Sequence, residues 1–155
     1  MSQPWFRRGV VRWCTVTCAL LSMPVAVLKA ADDRNALLNR VLQTAEQKLR
    51  TCGPDVYARF GVEAGNLRAI TYAAGPNIRA CRDTNTLALG KVGEPLIVLC
   101  APQFWQKVEQ DRDEAAYFLL HEYLHTRGLN EWPHGGKYDS VSITRIIKEA
   151  CSAAF

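Results

Sequence analysis

Asp111-Arg112-Asp113-Glu114-Ala115-Ala116-Tyr117-Phe118-Leu119-Leu120-His121-Glu122-Tyr123-Leu124-His125-Thr126-Arg127-Gly128 is the stretch whose reading decides the fold. Its first turn is acidic, which suits the positive end of a helix dipole, and it ends on a basic residue followed by a glycine. Between those limits Ala115 to Leu120 and Tyr123-Leu124 leave no broad polar face, so the spacing predicts a helix buried on most sides. His121, Glu122 and His125 are then polar groups inside a core, and they need a reason to be there.

Residues four apart share a helix face, so His121 and His125 can present two imidazoles to one ion, the arrangement tetrahedral Zn²⁺ takes. Glu122, about 100 degrees further round, can reach a water beside that ion without being a ligand, which is the place of a general base. The chain has only three histidines, and His134 falls close to the other two. A zinc ion satisfies a buried His-Glu-His set together, whereas a metal-free core would have to satisfy each group separately.

Upstream of this helix, Pro95 to Cys100 reads as a strand, followed by a short helix through Phe104 and Trp105. Leu67 to Ala73, Ile78 to Cys81 and Thr86 to Leu89 are shorter β-prone runs separated by turn residues, and they suggest a small sheet. Leu38, Leu42, Ala45 and Leu49 recur at helical spacing in a first helix capped by Asp32-Asp33, which Gly53-Pro54 should end near Arg50. A last helix is expected from Ser142 to Ala150. The fold class is therefore α+β: a compact domain with a small β-sheet packed on the buried active-site helix.

The chain has 155 residues, 48% hydrophobic and 22% charged, which fits one globular domain. Arg7, Arg8 and Arg12 lead into an apolar run from Trp13 to Leu28, and small Ala30 and Ala31 precede Asp32. That is the pattern of a signal peptide over residues 1–31, with a mature domain over 32–155; an uncleaved membrane anchor is the alternative. Residues 1–31 hold Arg7, Arg8, Arg12 and Lys29 and no acid, so 15 basic residues face 15 acidic ones in the remainder. The basic balance belongs to the leader, and nothing in the mature charge points to nucleic acid or to an anionic membrane as a partner.

Cys14 and Cys18 lie in the leader, leaving Cys52, Cys81, Cys100 and Cys151. Four cysteines in an exported domain, with no CxxC pair, predict two disulfides in a secreted or periplasmic protein. Three pairings are open, and Cys52 with Cys81 and Cys100 with Cys151 is the expected one.

The stretch His121 to Glu131 resembles the zincin metallopeptidases, in particular the extended metzincin pattern HExxHxxGxxH with Glu131 in place of the last histidine. That resemblance implies a secreted zinc metallopeptidase acting on protein or peptide substrates, with a zincin-like fold. It also implies a turn at Gly128 and Glu131 as third ligand beside His121 and His125. Residues 95 to 131 look similar to aspzincins, whose third ligand is a downstream aspartate. That makes Asp139 an alternative to Glu131, and His134 is another; the characteristic GT-containing segment of aspzincins is missing. By analogy with tyrosines many zincins use, Tyr138 is the candidate catalytic donor to a developing oxyanion. Tyr123 should point away from the metal, and Trp132-Pro133 should pack and stiffen the following loop. Two other functions fit parts of the pattern: a zinc-stabilised, inactive zincin relative that binds a partner, and a disulfide-stapled interaction module without metal.

Overall fold

The computed structural model describes residues 25–152 except 76, 77 and 84. Most of the expected signal peptide, residues 1–24, lies outside them. The chain is α+β, with four helices, a three-stranded sheet and two disulfides.

Helix α1 spans Val25–Phe60 and is continuous through Ala30-Ala31, the expected cleavage point. It also runs past Gly53-Pro54, where the sequence predicted its end. Pro54 has no N–H to donate to the turn before it. The helix continues because Cys52 and Val56 on either side of that dipeptide are fully buried, so tertiary packing outweighs local propensity. Val41, Leu42 and Ala45 extend the same buried stripe, while residues 31–36 are exposed.

Strands β1 (Thr71–Ala74), β2 (Ala88–Gly90) and β3 (Leu96–Leu99) form a sheet in the order β1-β3-β2. β1 pairs parallel to β3, and β2 pairs antiparallel to it with Leu89 opposite Val98. Ile97 and Leu99 point into the core. The run Ile78 to Cys81, expected as a strand, instead leads into a 3₁₀ turn at Arg79–Arg82. Ile78 there is 40% exposed and only Cys81 is buried, so a strand would have gained little apolar burial. Leu67–Ala69 is likewise a 3₁₀ turn, and the strand begins after it.

Helix α2 (Gln103–Gln110) buries Phe104 and Val108 and leads into α3 (Arg112–Thr126). Asp111 caps α3, accepting the Glu114 N–H at 3.0 Å. Ala115, Ala116, Leu119, Leu120, Tyr123 and Leu124 are all buried, as the lack of a polar face required. α1, α2 and α4 (Ser140–Ser152) pack around α3, and β2 lies along it.

The disulfides join Cys52 to Cys151 and Cys81 to Cys100, which corrects the expected pairing. α1 and α4 pack side by side and bring the distant Cys52 and Cys151 together. Cys81 meets Cys100 where β3 ends. Two such bonds are the pattern of an oxidising compartment. Among the described residues no helix is long and apolar enough to cross a membrane.

Candidate metal centre

α3 ends in the way that aims Glu131. Gly128 adopts φ +98°, a left-handed conformation that costs glycine little, and its N–H bonds the His125 carbonyl at 2.9 Å. The Leu129 N–H bonds the Leu124 carbonyl at 3.1 Å, completing the cap. The chain then doubles back: Glu131 bridges to Tyr138, and Trp132 N–H and Gly136 N–H bond the carbonyls of Tyr138 and Glu131. A side chain at Gly136 would run into the Asn130 carbonyl, so this closure needs glycine. Trp132 does not pack as expected. It is 68% exposed, and backbone bonds hold the loop in its place.

The result brings His121, His125 and Glu131 together, with one donor atom from each lying within 4.8 Å of the others. His121 Nε2 stands 3.1 Å from His125 Nε2 and 2.8 Å from Glu131 Oε1, and His125 Nε2 stands 3.3 Å from the same oxygen. Tetrahedral bonds of about 2.0–2.1 Å place neighbouring donor atoms about 3.3 Å apart, so one side of the triangle matches that spacing and the shortest is about half an ångström tighter.

The outer ring nitrogens show which atoms face inward. His125 Nδ1 lies 2.6 Å from the Leu129 carbonyl, which only accepts, so the proton of the neutral ring is on Nδ1 and Nε2 carries a lone pair. His121 Nδ1 lies 2.9 Å from the Thr144 hydroxyl, which can accept from it in the same way. With both rings in that form, two lone pairs and a carboxylate oxygen meet with no proton between them. In that form the three inward atoms could hold a metal ion, and the donor set fits one.

Electrostatics agree. Burial lowers the His121 pKa and so favours the neutral ring, against the Glu131 carboxylate, which pulls the other way. In the other tautomer, with the His121 proton on Nε2, that nitrogen donates to Glu131, and this hydrogen bond chiefly holds the Glu131 carboxyl down to about 2, so it is an anion at neutral pH. Glu122 behaves oppositely. Burial pushes its pKa up to about 8, opposed by the Gly90 N–H, with the nearby Glu131 charge adding to the rise.

Glu122 is fixed by the sheet. Gly90 N–H donates to its Oε2 at 2.5 Å, and a Cβ at Gly90 would run into the Glu122 backbone carbonyl. β2 can therefore lie this close to α3 only with glycine at that position. In the sequence, Gly90 was visible only as the end of a β-prone run.

An open cleft of about 460 Å³ fronts the cluster, lined by Ala88 to Gly90 on one side and by Glu122, His125, Glu131 and His134 on the other. His134 is thus near the site but outside the ligand triangle. Asp139 is elsewhere: its Oδ1 accepts the Ser142 N–H at 2.7 Å and caps α4, which lowers its pKa. The Tyr138 ring packs edge-on against Phe60 and lines a separate cleft with Arg59 and Lys137, so its backbone and not its phenol adjoins Glu131. Tyr123 points away from the metal into the core.

Comparison with protein families, with characterised proteins and with solved structures finds no match for this chain.

Proposed function

We propose that this protein is an exported zinc-dependent peptidase of zincin-like architecture. The observation that carries the reading is the convergence of His121 Nε2, His125 Nε2 and Glu131 Oε1 on an open cleft, with the Glu122 carboxylate beside them. The resemblance of residues 121–131 to the zincins supports it, and two disulfides suit an exported protein.

Zinc held by those three residues supplies Lewis acidity toward a peptide carbonyl and toward water. The chain supplies the rest. Glu122 keeps one oxygen on Gly90 N–H and has the other to take a proton from water and deliver it to the leaving amine nitrogen. Its raised pKa suits a group that must both gain and lose a proton near neutrality. β2 is an edge strand, and Leu87 and Lys91 bond β3, so by alternation Ala88 and the Gly90 carbonyl face away from the sheet. They offer an extended peptide a strand edge along the cleft.

The test is metal analysis of the purified protein together with cleavage of a peptide library by wild type and Glu122→Gln. We expect stoichiometric zinc in both, chelator-sensitive cleavage by the wild type, and a loss of about 10²–10⁴-fold in the variant. Undiminished cleavage by Glu122→Gln overturns the mechanism.

One feature favours a zinc-stabilised protein without catalysis: Trp132 to Gly135 are exposed, so Glu131 is a main tie between its loop and α3. Unfolding of the domain on chelation, with no cleavage when loaded, would support that alternative.

A further inference from the structure

The cleft that Tyr138 lines lies between the end of α1 and the loop joining α3 to α4, and has a volume of about 440 Å³. Its walls hold Arg59, Arg127 and Lys137 and no acid. Beyond residue 31 the chain carries as many acidic as basic residues, so three cations without an acid are a local excess of positive charge.

Helix dipoles account for part of this excess. Arg59 lies in the last turn of α1 and Arg127 caps the C-terminus of α3, where a cation meets the negative end of each helix. Lys137 stands just before the positive, N-terminal end of α4, so no dipole explains it. The charges are also little used within the fold. Lys137 Nζ rests 5.1 Å from the centroid of the Tyr138 ring, and Arg127 Nε donates to the Glu63 carbonyl at 3.2 Å. Neither has an ion pair among the described residues. Arg59 has Asp55 at 2.9 Å, but both side chains are about half exposed, and such a pair is worth little.

The main chain beside these cations is bare. Gly61, Gly128 and Gly135 adopt φ of +67°, +98° and +91°, and a Cβ at any of them would meet nothing within 4 Å. Each glycine lies within two residues of one of the three cations, so a ligand can approach the backbone and the charge together.

We propose that this cleft binds a multivalent oxyanion, a phosphate group either free or carried on a small molecule, held by Arg59, Arg127 and Lys137. Two guanidinium groups offer the paired N–H donors that phosphate oxygens take, and the third charge favours a dianion over a single carboxylate. The site shares none of these cations with the metal centre, and it does not depend on the peptidase reading.

The experiment titrates the full-length protein, as purified, with inorganic phosphate and with acetate at constant ionic strength. Calorimetry reads the affinity and amide NMR shifts locate the ligand. Phosphate should saturate one site at least ~10-fold more tightly than acetate and shift the amides of Gly61, Gly128 and Gly135. Arg127→Gln and Lys137→Gln should each weaken phosphate about 10-fold, and Arg112→Gln, at the opposite end of α3, should leave it unchanged. Lys137 is exposed, so its variant decides the matter even if Arg127→Gln does not fold. Phosphate no tighter than acetate, or affinity that survives Lys137→Gln, overturns the site, as does a loss of equal size in Arg112→Gln. Shifts confined to Gly90 and His125 would place phosphate at the metal centre and overturn it too. Glycerol phosphate binding more tightly than inorganic phosphate would support the site and assign it to phosphate esters; equal affinity would support it and assign it to the free anion.

Discussion

Replacing Thr144 by valine keeps the shape of the side chain and deletes one hydroxyl, the partner of His121 Nδ1 at 2.9 Å. The consequence depends on whether metal is bound. Without metal, His121 can carry its proton on Nε2 and donate to Glu131 Oε1, 2.8 Å away, and the Thr144 hydroxyl can then turn to donate to Nδ1. With metal on Nε2 the proton must sit on Nδ1, and Thr144→Val strands that N–H on a ring that is only 2% exposed. An unpaired buried donor costs the loaded state about 1–3 kcal/mol, against about 1 kcal/mol for the neutral hydrogen bond lost from the metal-free state. The difference, up to about 2 kcal/mol, makes metal binding up to about 30-fold weaker, within the range of about 10- to 100-fold for removed partners of metal-bound histidines. Competition against a chromophoric chelator measures the affinity, and thermal melts of both forms measure stability. Thr144→Ser should hold metal like the wild type, and the metal-free melt of Thr144→Val should lose about 1 kcal/mol, less than the metal-loaded melt does. Wild-type affinity in Thr144→Val refutes the reasoning. So does a Ser variant as weak as the Val variant, which would assign the effect to the methyl group.

Three other outcomes follow from the same geometry. Replacing both Cys52 and Cys151 by alanine opens a 99-residue span and should cost about 4.7 kcal/mol in urea denaturation; the 19-residue span of Cys81–Cys100 should cost about 3 kcal/mol. The reverse order would contradict the chain-entropy account. Gly90→Ala should push β2 off α3, lowering stability by about 1–3 kcal/mol and reducing cleavage while zinc remains bound; an unchanged melt and activity would show that the close approach is not required. Tyr57 and Tyr72 have pKa values raised above 10, chiefly by burial. The folded state therefore disfavours their phenolates, and this stabilisation is complete below pH 10 and is lost as pH rises above it. Melting temperature should fall from about pH 10 upward with delayed tyrosinate absorbance, and ordinary titration of all five tyrosines would refute it.

How much of this was legible in the sequence depended on whether the information was local. Both ends of α3 were, because a capping Asp111 and a left-handed Gly128 act within a turn of themselves. β3 and α4 were readable from their apolar patterns to within a few residues. The end of α1 was misread because Gly53-Pro54 carries a strong local preference that burial of Cys52 and Val56 overrides. The disulfide partners were not legible, since the packing of α1 on α4, which no local pattern shows, brings Cys52 to Cys151. At the site, His121, His125 and Glu131 came from one helix and one turn, a spacing a sequence displays. Thr144, the Leu129 carbonyl and the Gly90 N–H came from tertiary placement or from backbone, which no residue pattern shows. The Tyr138 ring was drawn away from Glu131 by Phe60, a residue almost eighty positions earlier.

These three supporting groups divide the work of holding the site among three parts of the fold. Leu129 belongs to the turn after α3, Thr144 to α4 and Gly90 to β2, and each fixes a different polar side chain of the HExxH segment. α4 is tied to α1 by Cys52–Cys151, and β3, which carries β2, ends at Cys100, bound to Cys81. Both covalent links therefore lie behind elements that position the site, and neither crosses the cleft. A domain that needed metal only for stability would gain by closing the ligand set with a fourth side chain. Here the fold anchors the outer side of each histidine and leaves His125 and Glu131 on the wall of a cleft flanked by an edge strand. That asymmetry is what a site built to admit a peptide requires, and it is why the catalytic reading is preferred to the structural one.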